Sequence, residues 1–133
     1  TGKELDGIHI LLVEDNEINM EIAEFYLTDR GAAVSKAWNG KEALEKFEHS
    51  KEGTYDMILM DVMMPVMDGL EAAERIRALK RPDGAAIPIL AMTAQDAASV
   101  ASQCRQAKIN GYILKPTDPD QLTKEILKQL KRS

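Results

Sequence analysis

The sequence predicts an α/β fold in which a parallel sheet of five strands is covered by helices on both faces. Short apolar runs alternate with longer amphipathic segments, which is typical of such a sheet. The short runs are almost continuously apolar, as expected of strands that are buried on both sides. The predicted strands are residues 9–13, 33–37, 57–60, 88–92 and 111–114, and the predicted helices are residues 16–30, 39–49, 71–79, 96–107 and 119–131.

Local signals support individual helices. In the first helix, apolar residues recur at spacings of three and four, which predicts an amphipathic helix that Gly31 ends. These residues are Ile18, Ile22, Phe25 and Tyr26. Asp118 suits the N-cap of the last helix, with Pro119 at the first helical position and Gln121 at the third, a capping-box arrangement. Residues 80–86 (KRPDGAA) are predicted to form a loop.

Size and composition favour one globular domain spanning residues 1–133. The single cysteine, Cys104, rules out an internal disulfide and indicates a reducing, cytoplasmic setting. No apolar run approaches the roughly 18 residues of a membrane span, so we expect no membrane insertion. The net charge of −5 argues against direct nucleic-acid binding.

Polar residues follow four of the five predicted strands. Glu14 and Asp15 follow the first strand, Asp61 the third, Thr93 the fourth and Lys115 the fifth. Right-handed crossovers bring the carboxyl ends of parallel strands to one edge of the sheet, where open α/β sheets bind their ligands. The sequence therefore predicts a single site at this edge.

The residue types at this edge suit phosphoryl transfer. Clustered carboxylates repel one another, and a hard cation such as Mg²⁺ relieves the repulsion while keeping room for a phosphate oxygen. Lys115 offers a mobile positive charge for a phosphoryl oxygen. A carboxylate such as that of Asp61 can itself be the nucleophile and form an aspartyl phosphate.

Four motifs in order resemble the receiver domain of two-component response regulators. They are VEDN at 13–16, MDVMMPVMDG at 60–69, AMTA at 91–94 and GYILKP at 111–116. The stretches LDGIHILLVEDNEINMEIA and DVMMPVMDGLEA are most similar to receivers of hybrid histidine kinases. The resemblance implies a flavodoxin-like (βα)5 fold, doubly wound, with strand order 2-1-3-4-5.

The resemblance also implies a role for each acid. Asp61 would be the phosphoacceptor, and Glu14 and Asp15 would be the acidic pair. Asp15, Asp61 and the backbone carbonyl of Met63 would surround Mg²⁺, with Glu14 beside them.

A switch and a set of partners follow from the same resemblance. Lys115 would pair with the phosphoryl group, Thr93 would move to hydrogen-bond it, and Tyr112 would then rotate inward. The donor would be a histidine kinase or a histidine phosphotransfer domain. Such a domain catalyses only its own phosphorylation and dephosphorylation and is otherwise not an enzyme. Its partners would meet the face made by the fourth helix, fifth strand and fifth helix, although residues 95–111 are unusually poor in charge there.

Three other functions are compatible with a chain of this fold class. A haloacid-dehalogenase-type phosphatase has a second acid two residues after its nucleophile, where this chain has Met63. A flavin module on the same fold favours a loop rich in Ser, Thr and Gly after the first strand, where this chain has EDNEIN, which would repel phosphate. A receiver-like partner-binding module without phosphotransfer is the remaining alternative. The chain is expected to be a receiver excised from a hybrid kinase, with a single-domain regulator as the other possibility.

One position departs from the family pattern. Lys108 stands where many relatives have glycine before the last strand. We expect the turn at Asn110 and Gly111 to supply the positive φ angle instead.

Overall fold

The computed structural model describes residues 4–61, 69–93, 97–114 and 118–130. Its strands are β1 (His9–Val13), β2 (Ala33–Ala37), β3 (Met57–Asp61), β4 (Ile89–Thr93) and β5 (Gly111–Leu114). Its helices are α1 (Glu17–Asp29), α2 (Gly40–His49), α3 (Gly69–Ala78), α4 (Pro82–Ala86), α5 (Ala97–Gln106) and α6 (Pro119–Gln129).

The five strands form one parallel sheet in the order β2-β1-β3-β4-β5. The predicted flavodoxin-like architecture and its strand order are confirmed. Strand order reverses at β1, which pairs with β2 on one side and β3 on the other. The carboxyl ends of β1 and β3 are therefore neighbours at the edge where polar residues follow the strands.

The sheet separates two hydrophobic cores, because successive side chains of a strand point to opposite faces. Leu11, Ile58 and Ile89 face one side, where they share a core with residues of α2, α3 and α5. Ile10 and Leu12 face the other side, where they share a core with residues of α1 and α6. Buried apolar side chains on both faces explain why the strand sequences are almost continuously apolar.

Side-chain caps fix where three of the helices begin. Asn16 accepts a hydrogen bond from the Asn19 N–H at 2.9 Å, and Asn39 accepts one from the Glu42 N–H at 2.8 Å. Asp118 accepts one from the Gln121 N–H at 3.1 Å, as predicted. Each cap satisfies a backbone donor that the first turn of a helix leaves without an intrahelical partner.

The predicted loop at residues 80–86 is wrong in part, because Pro82–Ala86 form the short helix α4. Pro82 occupies the first turn, where a proline costs the helix no hydrogen bond. Arg81 precedes it and donates to carbonyl oxygens at the end of α2, namely Phe47 O at 2.8 Å and Ser50 O at 3.0 Å. The helix therefore forms against a tertiary anchor that the local sequence does not reveal.

The first helix forms as predicted, but with a different face toward the sheet. Met20 and Leu27 are its buried residues, whereas Ile18, Ile22 and Phe25 are 67%, 46% and 64% exposed. The apolar spacing that predicts this helix thus belongs mostly to its solvent side.

The expected positive φ angle also lies elsewhere. Lys108 itself has φ 62° and is the one non-glycine residue with positive φ among those the structure describes. Asn110 instead closes the turn with its side chain, whose Oδ1 accepts hydrogen bonds from the Ile89 N–H and from Arg77 Nη2, both at 2.8 Å. The left-handed position therefore lies at Lys108 itself, and a lysine occupies it.

Candidate functional site

The candidate site is a cluster of three carboxylates at the carboxyl ends of β1 and β3. One carboxylate oxygen from each of Glu14, Asp15 and Asp61 lies within 4.8 Å of the other two. Glu14 is 2% exposed and Asp61 is 6% exposed, while Asp15 faces solvent. Two buried acids and one accessible acid thus share a small volume.

Strand pairing brings Asp61 to residues that are 47 positions earlier in the chain. Val13 lies opposite Met60 in the β1–β3 register, so the residues that follow them, Glu14 and Asp61, meet at the sheet edge. The Glu14 N–H donates to Ala37 O at 3.1 Å, which extends the β1–β2 pairing by one residue. The backbone of Glu14 is therefore held in place by the sheet itself.

The turn into α1 holds the Glu14 side chain. The Asn16 N–H donates to Glu14 Oε1 at 3.2 Å, and the Asn16 side chain caps α1. The contact with Glu14 depends on the geometry of this turn, so the sequence alone gives no signal for it. One asparagine thus ties the start of α1 to the acidic cluster.

Thr93 is the last residue of β4 and is fully buried. It extends β4 one residue beyond the predicted strand, which ran from 88 to 92. In the β4–β5 register, Thr93 lies opposite Leu114 and Ala91 lies opposite Tyr112. Thr93 and Tyr112 therefore occupy the same face of the sheet, two residues apart in register.

Two residues of the predicted site, Lys115 and Met63, lie outside the described residues. The structure thus brings together Glu14, Asp15 and Asp61, and it places Thr93 at the end of the strand next to that of Asp61.

The donor set of the cluster fits a hard divalent cation. Three carboxylates in this volume repel one another, and oxygen ligands of this kind are those that Mg²⁺ prefers. The partly open side at Asp15 leaves access from solvent.

In the part of the chain that the structure describes, no helix is long and apolar enough to cross a membrane.

Comparison with known proteins identifies the family. The model of the response regulator receiver domain matches residues 10–127, which include the whole acidic cluster. The chain belongs to the response regulator receiver family. Receivers are signalling domains of two-component and phosphorelay systems, and they bind Mg²⁺ at an acidic pocket.

Curated relatives of this receiver are hybrid and plant histidine kinases. It is 34% identical over 132 residues to hybrid signal transduction histidine kinase I of Dictyostelium discoideum, covering 98% of this chain and 8% of the relative. It is 31% identical over 161 residues to histidine kinase 1 of Arabidopsis thaliana, covering 98% of this chain and 13% of the relative. The receiver thus spans a small part of the length of these kinases.

Solved structures of receivers share the fold. The receiver domain of sensor histidine kinase PA1611 from Pseudomonas aeruginosa is 35% identical, with a TM-score of 0.83 over 94% of this chain and 98% of that one. That structure has a magnesium ion coordinated in its active-site cleft. The receiver of Ssk1 from Saccharomyces cerevisiae, solved with the histidine phosphotransfer protein Ypd1, is 31% identical, with a TM-score of 0.81 over 92% of this chain and 88% of that one.

Proposed function

We propose that residues 1–133 form a single receiver that acts as a phosphorylation-activated switch, with Asp61 as the phosphoacceptor. The observation that carries the proposal is the position of Asp61, which is buried at the end of β3 within the carboxylate cluster. A carboxylate held beside two others is poised for a reaction that needs an oxygen nucleophile and charge neutralisation at the same place.

The proposed reaction is a phosphoryl transfer. A carboxylate oxygen of Asp61 forms a bond to phosphorus as the phosphorus–nitrogen bond of a phosphohistidine breaks. The donor imidazole leaves with the bonding electron pair, and the product is an acyl phosphate. Hydrolysis by water returns the carboxylate and inorganic phosphate, so the domain catalyses only its own modification and its reversal.

Mg²⁺, held by Asp15, Asp61 and the Met63 carbonyl beside Glu14, would neutralise negative charge on the carboxylates and the phosphoryl oxygens. The Glu14 contact with the Asn16 N–H keeps this acid in place beside Asp15 and Asp61. Lys115 would supply a second positive charge to the phosphoryl group.

The proposed switch uses Thr93 and Tyr112. Phosphorylation of Asp61 adds negative charge and strong acceptor oxygens next to the strand that ends at Thr93. Tyr112 is half-buried and lines a groove of about 510 Å³ together with Ile113 and residues of α6. If the Thr93 hydroxyl turns toward the phosphoryl group, Tyr112 on the same face can move inward and reshape this groove for partners.

The proposed donor is a histidine phosphotransfer domain or a histidine kinase. The sequence similarity to a hybrid histidine kinase supports this class of donor. The structural similarity to a receiver solved together with a histidine phosphotransfer protein supports it as well.

The test is covalent modification by a small donor. The protein is incubated with acetyl phosphate and Mg²⁺, and its intact mass is measured. We expect the mass of one phosphoryl group to be added and then removed by hydroxylamine, and we expect Asp61→Asn to stay unmodified. Asp29→Asn, at an exposed aspartate of α1, is the matched control and should be modified like wild type.

Two results would contradict the proposal. Modification of Asp61→Asn at the wild-type level would move the acceptor elsewhere. A wild-type protein that binds Mg²⁺ but takes no phosphoryl group from acetyl phosphate or from any phosphohistidine donor would instead be the partner-binding module without phosphotransfer.

A further inference from the structure

Arg77, near the end of α3, is a half-buried arginine whose charge has no counter-ion among the described residues. Its guanidinium donates three hydrogen bonds, all to neutral groups: Nε to Lys108 O at 3.0 Å, Nη1 to Gly84 O at 3.0 Å and Nη2 to Asn110 Oδ1 at 2.8 Å. No ion pair in the described part of the chain includes it. Burial lowers the pKa of Arg77, which means that its positive charge is poorly solvated.

Two other arginines of low exposure are paired with carboxylates. Arg30, whose side chain is 16% exposed, lies 2.9 Å from Asp120, and Arg81, whose side chain is 15% exposed, lies 2.6 Å from Asp83. A charged group that is taken out of water is normally paired, because neutral hydrogen bonds alone do not replace its lost hydration. Arg77 departs from this pattern, and an anion from outside the chain would restore it.

A cavity of about 220 Å³ adjoins Arg77 where α3 and α5 end. It is lined by Glu74, Arg77, Ala78, Gln106, Ala107 and Lys108, here called the α3–α5 cavity. At roughly 30 Å³ for each water of the liquid, this volume holds about seven waters or one small molecule. A helix or strand of a partner needs a longer groove, so the α3–α5 cavity suits a small ligand.

Lys108 brings a second positive charge to the α3–α5 cavity. Its φ angle of 62° lies in the left-handed region that favours glycine, and strained residues of this kind are often found at functional sites. The side chain is exposed and forms no ion pair within the described residues. Residues 97–117 contain no aspartate or glutamate, so α5 and the turn that follows it add no negative charge.

Glu74 is the acid of the α3–α5 cavity, but it does not neutralise Arg77. It lies three residues before Arg77 on α3, a spacing at which side chains can pair, yet these two form no ion pair. Its side chain is exposed to water instead. With two cations against one acid, the lining of the cavity carries a net positive charge.

We propose that the α3–α5 cavity binds a small oxyanion, whose phosphate or carboxylate group pairs with Arg77 and Lys108. A guanidinium has five N–H donors that suit such groups, and three of those of Arg77 are used by described residues. The Asn110 side chain beside it accepts from the N–H of Ile89, the first residue of β4, so the cavity lies where the strands begin. The carboxylate cluster lies at the other end of the strands, and the proposal does not depend on phosphorylation of Asp61.

The test is a titration of the protein with inorganic phosphate and, in parallel, with succinate. It is followed by amide NMR in Mg²⁺-free buffer, with chloride holding the ionic strength constant. We expect saturable shifts of the Lys108 and Asn110 amides and none at the amide of Glu14. Asp61→Asn should bind with the wild-type Kd, because the carboxylate cluster takes no part. Saturation by phosphate alone would assign a phosphate ligand, and saturation by succinate alone a carboxylate ligand.

Substitutions identify the groups that hold the anion. Lys108→Gly removes one charge and keeps the backbone, since glycine adopts a positive φ angle without strain, and it should weaken binding roughly three- to tenfold. Lys41→Gln, at an exposed lysine of α2, removes the same charge elsewhere and should bind as wild type. Glu74→Gln should tighten binding several-fold, because it removes the acid of the cavity. Arg77→Gln should weaken binding by more than about tenfold.

Two results would overturn the site. The first is a set of amide shifts that grow linearly with both anions and never saturate. The second is an unchanged Kd in Lys108→Gly and Arg77→Gln, since the anion would then bind elsewhere. Arg77→Gln also removes hydrogen bonds to the turn before β5, so its fold is checked by circular dichroism. If that variant unfolds, Lys108→Gly alone decides the outcome.

Discussion

At the scale of single residues, Asp83 shows how the fold controls a carboxylate far from the candidate site. Its two oxygens accept hydrogen bonds from Arg81 Nε at 2.6 Å and Arg81 Nη2 at 2.8 Å, and the Gly53 N–H donates to it at 3.0 Å. The side-chain hydrogen bonds from Arg81, aided by the Gly53 N–H, hold the pKa of Asp83 below its ordinary value. The ionised form is therefore the one that stabilises the folded protein.

The lowered pKa of Asp83 makes the folded protein lose stability at low pH. Because the pKa of Asp83 is lower when folded, its contribution is present above its unfolded pKa of about 3.9 and is lost as pH falls through the folded value. We expect Asp83→Asn to reduce the free energy of unfolding by about 1–3 kcal/mol at pH 7. Urea unfolding at pH 7 and at pH 3 checks this, since the gap from wild type should narrow at pH 3. An equal difference in the free energy of unfolding at pH 7 and pH 3 would contradict this role of ionised Asp83. Asp29→Asn, at an exposed aspartate of α1, is the control.

Single residues also mark where the sequence predicts the site well and where it does not. The acids Glu14, Asp15 and Asp61 are predictable because strand ends of a parallel sheet share an edge. The residue that adopts a positive φ angle is not predictable in this way, because the choice between Lys108 and the Asn110–Gly111 turn depends on tertiary contacts. Arg77 and the Ile89 backbone both bond the Asn110 side chain, and these partners are distant in sequence.

At the scale of elements, α1 has two apolar sides with different energetic roles. Met20 is fully buried against the sheet, whereas Ile22 is 46% exposed on the solvent side of the helix. Periodicity alone predicts the helix but cannot tell which side faces the sheet, since both sides carry large apolar residues. Contact with β1 and the neighbouring α6 decides it.

Paired truncations distinguish these two sides. Met20→Ala leaves a cavity in the core and should lower the free energy of unfolding by about 2–5 kcal/mol. Ile22→Ala shortens a side chain that is 46% exposed on the solvent side of the helix, and it should change the free energy of unfolding by less than about 1 kcal/mol. Chemical denaturation of both variants measures the difference. Similar losses in the two variants would mean that the solvent side of α1 is packed against other atoms in solution.

At the scale of the whole molecule, the carboxylate cluster couples stability to divalent cations. Three acids gathered by folding repel one another, and the unfolded chain disperses them. A cation that binds only the folded state adds stability by mass action, about 2.7 kcal/mol at a hundredfold excess over its Kd. The free energy of unfolding should therefore depend on the concentration of the cation that the carboxylate cluster is proposed to bind.

We therefore expect Mg²⁺ to raise the Tm of wild type. Asp61→Asn should raise the Tm in the absence of Mg²⁺, because one repelling charge is gone, and should weaken the response to Mg²⁺. Differential scanning calorimetry with and without Mg²⁺ measures both effects, with Glu45→Gln as the matched control on α2. A wild-type Tm that does not change with Mg²⁺ would argue against a cation at the cluster.

The overall architecture is the part that the sequence predicts best. Alternating apolar runs and amphipathic segments specify the parallel sheet, because both patterns repeat over the whole length of the chain. The short helix α4 is missed, since five residues carry too little periodicity and its anchor, Arg81, acts on residues of α2 more than thirty positions earlier.

The pairing of β1 with β3 has a consequence for the order in which a newly made chain acquires its parts. All three clustered carboxylates lie within the first 61 residues, on β1, β3 and the turn between β1 and α1. Thr93 arrives with β4, which adds to the sheet on the far side of β3. During translation, at roughly 5–20 residues per second, the half of the domain that carries the carboxylate cluster therefore emerges seconds before the half that would respond to phosphate.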